Sequence, residues 1–275
     1  MRSRLAALIL AVWIAVPCAA AVTEDVAAFA KLPQFSNVEI SPDGSRIAAL
    51  VTIEGKRAIY TLEIGTGKPK VMAADDQWHL SWVAWVDNRY VLVGIKTPFR
   101  RGGVATIETR LVAFDSNTGS GKILFTRYMN SIQRKGGVIP QFQDDVLHFL
   151  PKRDEEFIIA FDKRGSGNEA VYVANARSGQ LREKLQSVDP YVSQWRVDAA
   201  GDVRVGFGIA RDKTSFTFKI KDLDGEWHDY SERYNAGGFH VAELPVDGTG
   251  HALVLSDHEY PLGALYRFDP VSGEF

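Results

Sequence analysis

Apolar runs rich in aromatic and β-branched residues alternate with short polar turns along most of the chain. Runs of this kind precede a glycine-containing turn at 59–64, 110–115, 170–175, 216–221 and 264–269. β-Branched and aromatic residues favour strands, whereas glycine together with Asn, Asp or Ser favours turns. We therefore predict that each run is a β-strand that ends at its turn.

A second series of runs, interleaved with the first, has the pattern of β-hairpins. The sequences VEISPDGSRIAAL (38–50) and WVAWVDNRYVLVGI (82–95) place Asp with Gly or Asn between two apolar runs. Segments 195–209 and 241–255 repeat this pattern, and 146–161 repeats it with a charged tip. Such turn residues tolerate the positive φ of tight hairpins, so we predict a hairpin in each segment.

Together the two series predict a four-stranded unit that recurs about every 47 residues, which is the sequence signature of a β-propeller blade. We expect an all-β propeller of four-stranded antiparallel blades in residues 37–275, with about four and a half blades and an incomplete ring. The fifth unit reaches Phe275 inside its last turn. The one longer spacing is predicted to hold an inserted loop on one rim, at 127–145.

The N-terminal residues 1–21, MRSRLAALILAVWIAVPCAAA, have the three parts of a secretory signal peptide. Arg2 and Arg4 precede an apolar run, and small residues follow at the expected cleavage point after Ala21. We therefore expect a periplasmic or secreted protein whose mature chain has lost Cys18, the single cysteine. The lead-in at 22–36 is predicted to contain a short helix at 23–32.

Composition and charge narrow the classes of protein. Hydrophobic residues make up 45% and charged residues 24%, which is ordinary for a chain that buries a core. The net charge of -2 offers no basic excess, so we expect no nucleic-acid partner. After the leader, no apolar run is long enough to cross a membrane. The histidines show no metal-ligand spacing and no phosphate-binding loop is complete, so we expect neither metal nor cofactor.

The segment SPDGSRIAAL, preceded by AFAKLPQFSNVEI and followed by IYTLEIGTGK, resembles the start of secreted prolyl-oligopeptidase-family serine peptidases. That family includes dipeptidyl aminopeptidases and acylaminoacyl peptidases. The later WVAWVDNRYVLVGI is similar to the second blade of the family's propeller, and the resemblance covers most of residues 28–275. SPDG hairpins also occur in periplasmic propellers of the Tol system. The peptidase resemblance implies a propeller followed by an α/β-hydrolase domain.

The resemblance carries over no catalytic residue. The family's hydrolase domain holds a serine on a G-x-S-x-G elbow, followed along the chain by Asp and His. The two Gly-Ser-Gly sequences of this chain, at 119–121 and 165–167, lack the remaining glycines of the motif and fall in predicted turns. We therefore expect no catalytic residue in this chain and no peptidase turnover by it alone.

Asp154, Glu155 and Glu156 form an acidic cluster at a predicted hairpin tip. Dipeptidyl peptidases of the resembled family bind the free amino terminus of a substrate with a pair of glutamates. The resemblance therefore makes these three residues the candidate substrate contacts, through charge-assisted hydrogen bonds. Solvated charge at a turn is the alternative interpretation, and it explains the same residues.

Two functions remain open at this point. The first is the substrate-gating propeller of an exported prolyl-oligopeptidase-like peptidase, with a peptide substrate or an α/β-hydrolase domain as its partner. The second is a non-enzymatic periplasmic propeller that binds proteins, as Tol-system propellers do. A G-x-S-x-G region encoded after Phe275 would favour the first, and further blades followed by a stop would favour the second. In an open arc we also expect self-association through unpaired blade edges.

Overall fold

The computed structural model describes residues 34–73, 78–150, 152–237, 239–243 and 249–275. The predicted signal peptide and the predicted helix at 23–32 lie outside the described residues. In the described ranges the strands form five antiparallel sheets, which we call blades 1 to 5 in chain order.

Each blade is built from strands that follow one another along the chain. Blade 1 contains β1 (Phe35–Ile40), β2 (Arg46–Ile53), β3 (Lys56–Glu63) and β4 (Lys68–Ala73). Blade 2 contains β5 (His79–Trp85), β6 (Tyr90–Arg101), β7 (Val104–Asp115) and β8 (Ser120–Ile123). Blade 3 contains β9 (Val146–Phe149), β10 (Glu156–Phe161), β11 (Ala170–Asn175) and β12 (Gln180–Gln186). Blade 4 contains β13 (Gln194–Val197), β14 (Val203–Ile209), β15 (Phe216–Lys221) and β16 (Trp227–Asp229). Blade 5 contains β17 (Phe239–Glu243), β18 (Ala252–Ser256) and β19 (Ala264–Phe268).

This arrangement confirms the predicted all-β fold of four-stranded antiparallel blades. In every blade each strand is hydrogen-bonded to its neighbour in the chain, so the blades are simple meanders. Blade 5 has three strands in the described residues. Among those residues, hydrophobic clusters join blades 1 and 2, 2 and 3, 3 and 4, and 4 and 5, whereas none joins blade 5 to blade 1. The described blades therefore form an open arc.

Strands in the middle of a blade bury both faces, because one face packs on the preceding blade and the other on the following blade. In β6, Val91 and Val93 pack with blade 1, whereas Leu92 between them packs with blade 3. In β10, Phe157 packs with blade 2 and Ile158 packs with blade 4. This two-sided burial explains why these strands read as continuous apolar runs. Each such side chain contributes about 1.5–3 kcal/mol when it is buried.

Two tryptophans join neighbouring blades through hydrogen bonds as well as apolar contacts. The indole N–H of Trp85 in blade 2 donates to the carbonyl of Glu39 in blade 1, at 3.3 Å. The indole N–H of Trp195 in blade 4 donates to the carbonyl of Glu169 at the edge of blade 3, at 3.1 Å. A buried indole N–H requires an acceptor of this kind, so each ring helps to fix the position of one blade against the next.

The insertion at 127–145 is not entirely a loop, which corrects the sequence-based prediction. Its first part belongs to helix α1 (Thr126–Arg134), which buries Tyr128, Met129 and Ile132. These three positions share one face of a helix, and Tyr128 packs near Phe161 of blade 3, with 6.1 Å between ring centroids. Because most residues of this helix are polar, the sequence pattern does not reveal its narrow apolar face. A second short helix, α2 (Ser231–Asn235), connects blades 4 and 5.

No helix among the described residues is both long enough and apolar enough to cross a membrane.

Gly208 in β14 provides a test of backbone packing at the edge of blade 4. A Cβ atom at this position would overlap the carbonyl oxygen of Tyr191, whereas a Cβ at Gly65, in the turn between β3 and β4, meets no atom within 4 Å. Because the obstacle at Gly208 is backbone, we expect Gly208→Ala to lower the free energy of unfolding by about 1–3 kcal/mol. Gly65→Ala is the matched control and should change it by less than about 0.5 kcal/mol. Urea unfolding of both variants measures this, and equal effects would contradict it.

Candidate functional site

A large cleft lies where blades 2 to 5 converge, with a volume of about 1090 Å³. Three groups of residues form its walls. The blade 2 side contributes Arg101, Val138, Ile139, Pro140, Gln141, Phe142 and Asp145, and the hairpin loop between β10 and β11 contributes Asp162, Gly165, Ser166, Gly167 and Glu169. Blades 4 and 5 contribute Ser193, Gln194, Trp195, Arg196, Val205, Phe207, Phe218, Tyr234, His240 and Val241.

One wall of the cleft is formed by an unusually long hairpin. Strands β6 and β7 have 12 residues each, whereas β2 and β3 of blade 1 have 8. We call the outer part of this hairpin, residues 97–108, the arm. Its two strands pair from Thr97↔Glu108 to Arg101↔Val104, beyond the region where β5 and β8 pair with them. The arm therefore depends on contacts from elsewhere for its position.

Residues 137–143, which follow α1, supply those contacts, and we call them the strap. The N–H of Thr109 donates to the carbonyl of Gln141 at 2.9 Å, and the Gln141 amide donates to the Thr106 hydroxyl at 2.6 Å. The Arg101 guanidinium donates to the Ile139 carbonyl at 2.7 Å. The strap is thus fastened along the arm, and the two form one wall.

An ion-pair network lies beneath the strap. Glu108 is buried and accepts from Arg101 at 2.6 Å and from Arg110 at 2.6 Å. Burial lowers the pKa of Arg110, and the adjacent Glu108 carboxylate acts in the opposite direction. Arg101 and Arg110 therefore share one buried carboxylate.

Another part of the cleft lining is acidic. Burial, with smaller contributions from the neighbouring Asp145 and Asp162, raises the pKa of the Glu169 carboxyl to about 7. Burial, with a smaller contribution from Asp144, also raises the pKa of Asp145. Asp162 is held differently, because it accepts from the backbone N–H groups of Arg164 and Gly167 at 3.0 and 2.6 Å. Glu169 and Asp145 therefore both hold a proton more tightly than free carboxyls do.

The cleft combines these walls with an apolar floor. Phe207 stacks on Phe216 with ring centroids 5.4 Å apart, and Trp195 packs against Trp227 at 5.9 Å. Arg196 projects from β13 and donates to the Val241 carbonyl of blade 5 at 2.6 Å. Hydrogen-bond donors, carboxyls and aromatic rings within one cleft suit a ligand that is polar along its length and apolar in part.

Of the three predicted substrate contacts, Asp154 and Glu155 lie in the turn between β9 and β10, whereas Glu156 begins β10, and none of them lines the cleft. Asp154 is exposed. Glu155 accepts from the Asn175 amide at 3.3 Å, and its N–H donates to Asp87 at 2.9 Å. Glu156 is buried and pairs with Arg153 at 2.7 Å and with Arg182 at 3.1 Å. Their role in substrate binding stays a prediction, and the structure gives the two glutamates intramolecular partners.

The two Gly-Ser-Gly serines lie in unlike surroundings. Ser120 begins β8 and is exposed. Ser166 lies in the cleft wall, where its hydroxyl donates to Asp162 at 3.2 Å, and no hydrogen bond joins it to a histidine in the described residues. In those same residues, no group of three or more His, Cys, Asp or Glu side chains is arranged to hold a metal ion.

Sequence reasoning did not single out Asp145, Asp162 or Glu169. Asp145 ends the segment that follows the strap, and the other two residues stand at the two ends of the β10–β11 loop. The sequence feature that could have indicated Asp162 and Glu169 is their position on either side of the GSG turn, which places both at one end of a predicted hairpin. Nothing in the sequence indicated that Asp145 would join them.

The repeated meander sheets and the clusters between them define the chain as a β-propeller protein. In fold it is similar to peptidases of the prolyl-oligopeptidase family and to their propeller domains. Acylaminoacyl peptidase from Pyrococcus horikoshii shares 16% identity over 88% of this chain and 38% of that chain, with a TM-score of 0.48. Oligopeptidase B from Leishmania major shares 10% over 86% of this chain and 33% of that chain, with a TM-score of 0.49.

The β-propeller domain of the Trilobed protease from Pyrococcus furiosus shares 15% identity over 86% of this chain and 82% of that chain, with a TM-score of 0.33. The chain spans about a third of the length of the two full peptidases. No protein-family model matches the sequence, and no curated protein matches it.

Proposed function

We propose that this chain is the substrate-gating propeller portion of an exported prolyl-oligopeptidase-like serine peptidase. In this proposal the chain selects peptides and supplies no catalytic residue, and an α/β-hydrolase domain performs the chemistry. The sequence supports the proposal through the Ser-Pro-Asp-Gly hairpin and the strands that resemble the family, and through the leader pattern at 1–21. The fold supports it because the blades form the scaffold that such a gate requires.

The observation that carries the proposal is the cleft. Its volume of about 1090 Å³ is at the upper end of ordinary ligand pockets, which hold a drug-sized molecule. A peptide of a few residues has this size, and it has the backbone donors and acceptors that Arg101, Gln194 and Glu169 can meet. A folded protein is too large to enter. The cleft therefore admits short or unfolded chains and excludes folded ones.

Binding of short peptides to the full chain tests this function. Fluorescently labelled peptides of about six residues are titrated with the protein, and anisotropy is measured. We expect saturable binding without cleavage. Gln194 is exposed in the cleft wall, so Gln194→Trp fills part of the cleft and should weaken binding at least about tenfold. Gln180, which is exposed on β12 away from the cleft, supplies the matched control Gln180→Trp.

Two results would reject the peptide-binding function. One is the absence of binding by any short peptide in a varied set, and the other is an equal effect of Gln194→Trp and Gln180→Trp. Binding of a folded protein as tight as that of a short peptide would reject the gating role alone.

The alternative function is a non-enzymatic periplasmic propeller that binds proteins on its rim. The observation in its favour is the arm, where Phe99, Val104 and Ile107 are 48%, 68% and 52% exposed. By their register, Phe99 and Val104 share one face of the arm and Ile107 lies on the other, and exposed apolar patches mark protein-binding surfaces. Capture of a folded partner through the arm, with no binding of short peptides, would support this alternative. Self-association through the outer faces of blades 1 and 5 stays a prediction.

A further inference from the structure

A second and smaller pocket lies on blade 3, beside the cleft. Its volume is about 210 Å³, which is enough for a carboxylate or phosphate group and a few further atoms. It is lined by Phe161, Asp162, Lys163, Arg164, Ser166, Asn168, Ala170, Tyr172, Lys184, Ser187 and Val188. Three of these residues are cations, and four others carry hydroxyl or amide groups that donate hydrogen bonds. The pocket is therefore rich in donors and in positive charge.

The fold brings the three cations together from separate segments. Lys184 in β12 pairs directly opposite Tyr172 in β11, so the two side chains share one face of blade 3. The ammonium of Lys163 lies 5.3 Å from the ring centre of Tyr128 and 5.9 Å from that of Tyr172. Cation–π contacts of this length hold the ammonium beside the pocket.

Among the described lining residues of this pocket, cations outnumber carboxylates. In the part of the chain that the structure describes, Lys163, Arg164 and Lys184 form no ion pair. Asp162 is the carboxylate among the described lining residues, and Ser166 and two backbone N–H groups donate to it. Three cations thus face one carboxylate that is already hydrogen-bonded.

In two other places among the described residues, a pair of arginines shares one buried carboxylate. Arg153 and Arg182 share Glu156, and Arg101 and Arg110 share Glu108. The whole chain carries a net charge of -2, so a general excess of positive charge does not explain the pocket. Among the described residues the three cations on blade 3 share no such carboxylate, and their chemistry suits an oxyanion.

The pocket and the cleft share a wall, because Asp162 and Ser166 line both. A peptide in the cleft can therefore extend a side chain or its terminus across Ser166 into the pocket. We propose that this pocket binds a carboxylate of a peptide whose chain lies in the cleft, so that the propeller favours acidic peptides. The inference rests on the proposed peptide-binding function and adds a substrate class to it.

The test compares two peptides that differ in one group. One contains a glutamate and the other contains glutamine at the same position, with both termini blocked, and both are titrated into the full chain. We expect the glutamate peptide to bind about fivefold more tightly, which is the scale of a solvent-exposed ion pair. Raising the salt concentration should reduce this preference, because exposed charges are screened.

Substitutions localise the preference to the pocket. The double variant Arg164→Gln and Lys184→Gln should bind the two peptides equally, while its affinity for the glutamine peptide stays that of the native chain. Lys68→Gln, an exposed change in blade 1, is the matched control and should leave the preference intact. Inorganic phosphate is added as a competitor, and it should reduce the preference for the glutamate peptide without displacing the glutamine peptide.

The outcomes separate the inference from the function on which it rests. If neither peptide binds, the proposed peptide-binding function fails. If both peptides bind with equal affinity to the native chain, the function stands and the acidic preference is wrong. If phosphate binds at Arg164 and Lys184 while both peptides still bind equally, the pocket serves a free anion and the inference is likewise wrong.

Discussion

Replacing Arg204 by methionine is expected to lower the free energy of unfolding by about 3–5 kcal/mol. The Arg204 and Asp198 side chains are 4% and 5% exposed, and the guanidinium lies 3.3 Å from the carboxylate. The same guanidinium donates to the carbonyls of Lys221 at 2.7 Å and Gly250 at 3.0 Å, which ties blade 4 to the turn before β18. The substitution leaves a buried carboxylate without its cation and two carbonyls without a donor.

Chemical unfolding followed by tryptophan fluorescence measures this effect. Arg177→Met is the matched control, because the Arg177 side chain is 67% exposed and lies 3.7 Å from Glu155. We expect the control to cost less than about 1 kcal/mol. Should Arg204→Met fail to fold, Arg204→Lys keeps the charge and should lose about 1–3 kcal/mol through the missing hydrogen bonds. A loss below 1 kcal/mol in Arg204→Met would show that the pair does not hold the two blades together.

Glu169→Gln is expected to stabilise the protein at pH 8 and to leave its stability unchanged near pH 5. Burial raises the pKa of Glu169 from 4.5 to about 7. A carboxyl with a raised pKa binds its proton more tightly in the folded state than in the unfolded state. The free energy of unfolding therefore falls as the pH rises from about 4.5 to about 7, by up to about 3 kcal/mol. Glutamine has no charge to bury, so the variant avoids this loss.

Urea unfolding of the native chain and the variant at pH 5 and pH 8 tests this prediction. Burial also raises the pKa of Asp145, so the native chain and the variant share that part of the pH dependence, and the difference between them isolates Glu169. Glu183→Gln, at an exposed carboxyl on β12, is the matched control and should show the native profile. An unchanged pH profile in Glu169→Gln would mean that Glu169 ionises in the folded protein as freely as in the unfolded chain.

Local pattern was sufficient to predict the blades. The Asp-Gly turn at 43–44 and the Asp-Asn turn at 87–88 separate paired strands in the structure, as their tolerance of tight hairpin geometry requires. The apolar runs at 91–95 and 157–161 are strands that bury both faces between neighbouring blades. In these segments the strand preference of the residues and the demands of packing point the same way.

Local pattern failed where tertiary contacts decided the outcome. Helix α1 carries a narrow apolar face within a polar segment, and it forms because blade 3 offers Phe161 as a surface against which Tyr128 packs. Glu155 and Glu156 are adjacent in sequence, but each carboxylate is hydrogen-bonded to or paired with a neighbouring side chain of the same protein. Carboxyls from different segments, such as Asp145 and Glu169, meet in the cleft instead.

The sequence by itself determined the strands, the turns and the repeat that makes the fold a propeller, because each of these depends on residues a few positions apart. The tertiary structure alone decided which charges meet. The pairing of strands and the packing of blades bring Asp145 to Glu169, Lys163 to Lys184 and Arg204 to Gly250 across distances in sequence that no local pattern spans. Burial then raises the pKa of the Glu169 and Asp145 carboxyls, because the surrounding protein, and not the local sequence, determines how much water reaches each charge.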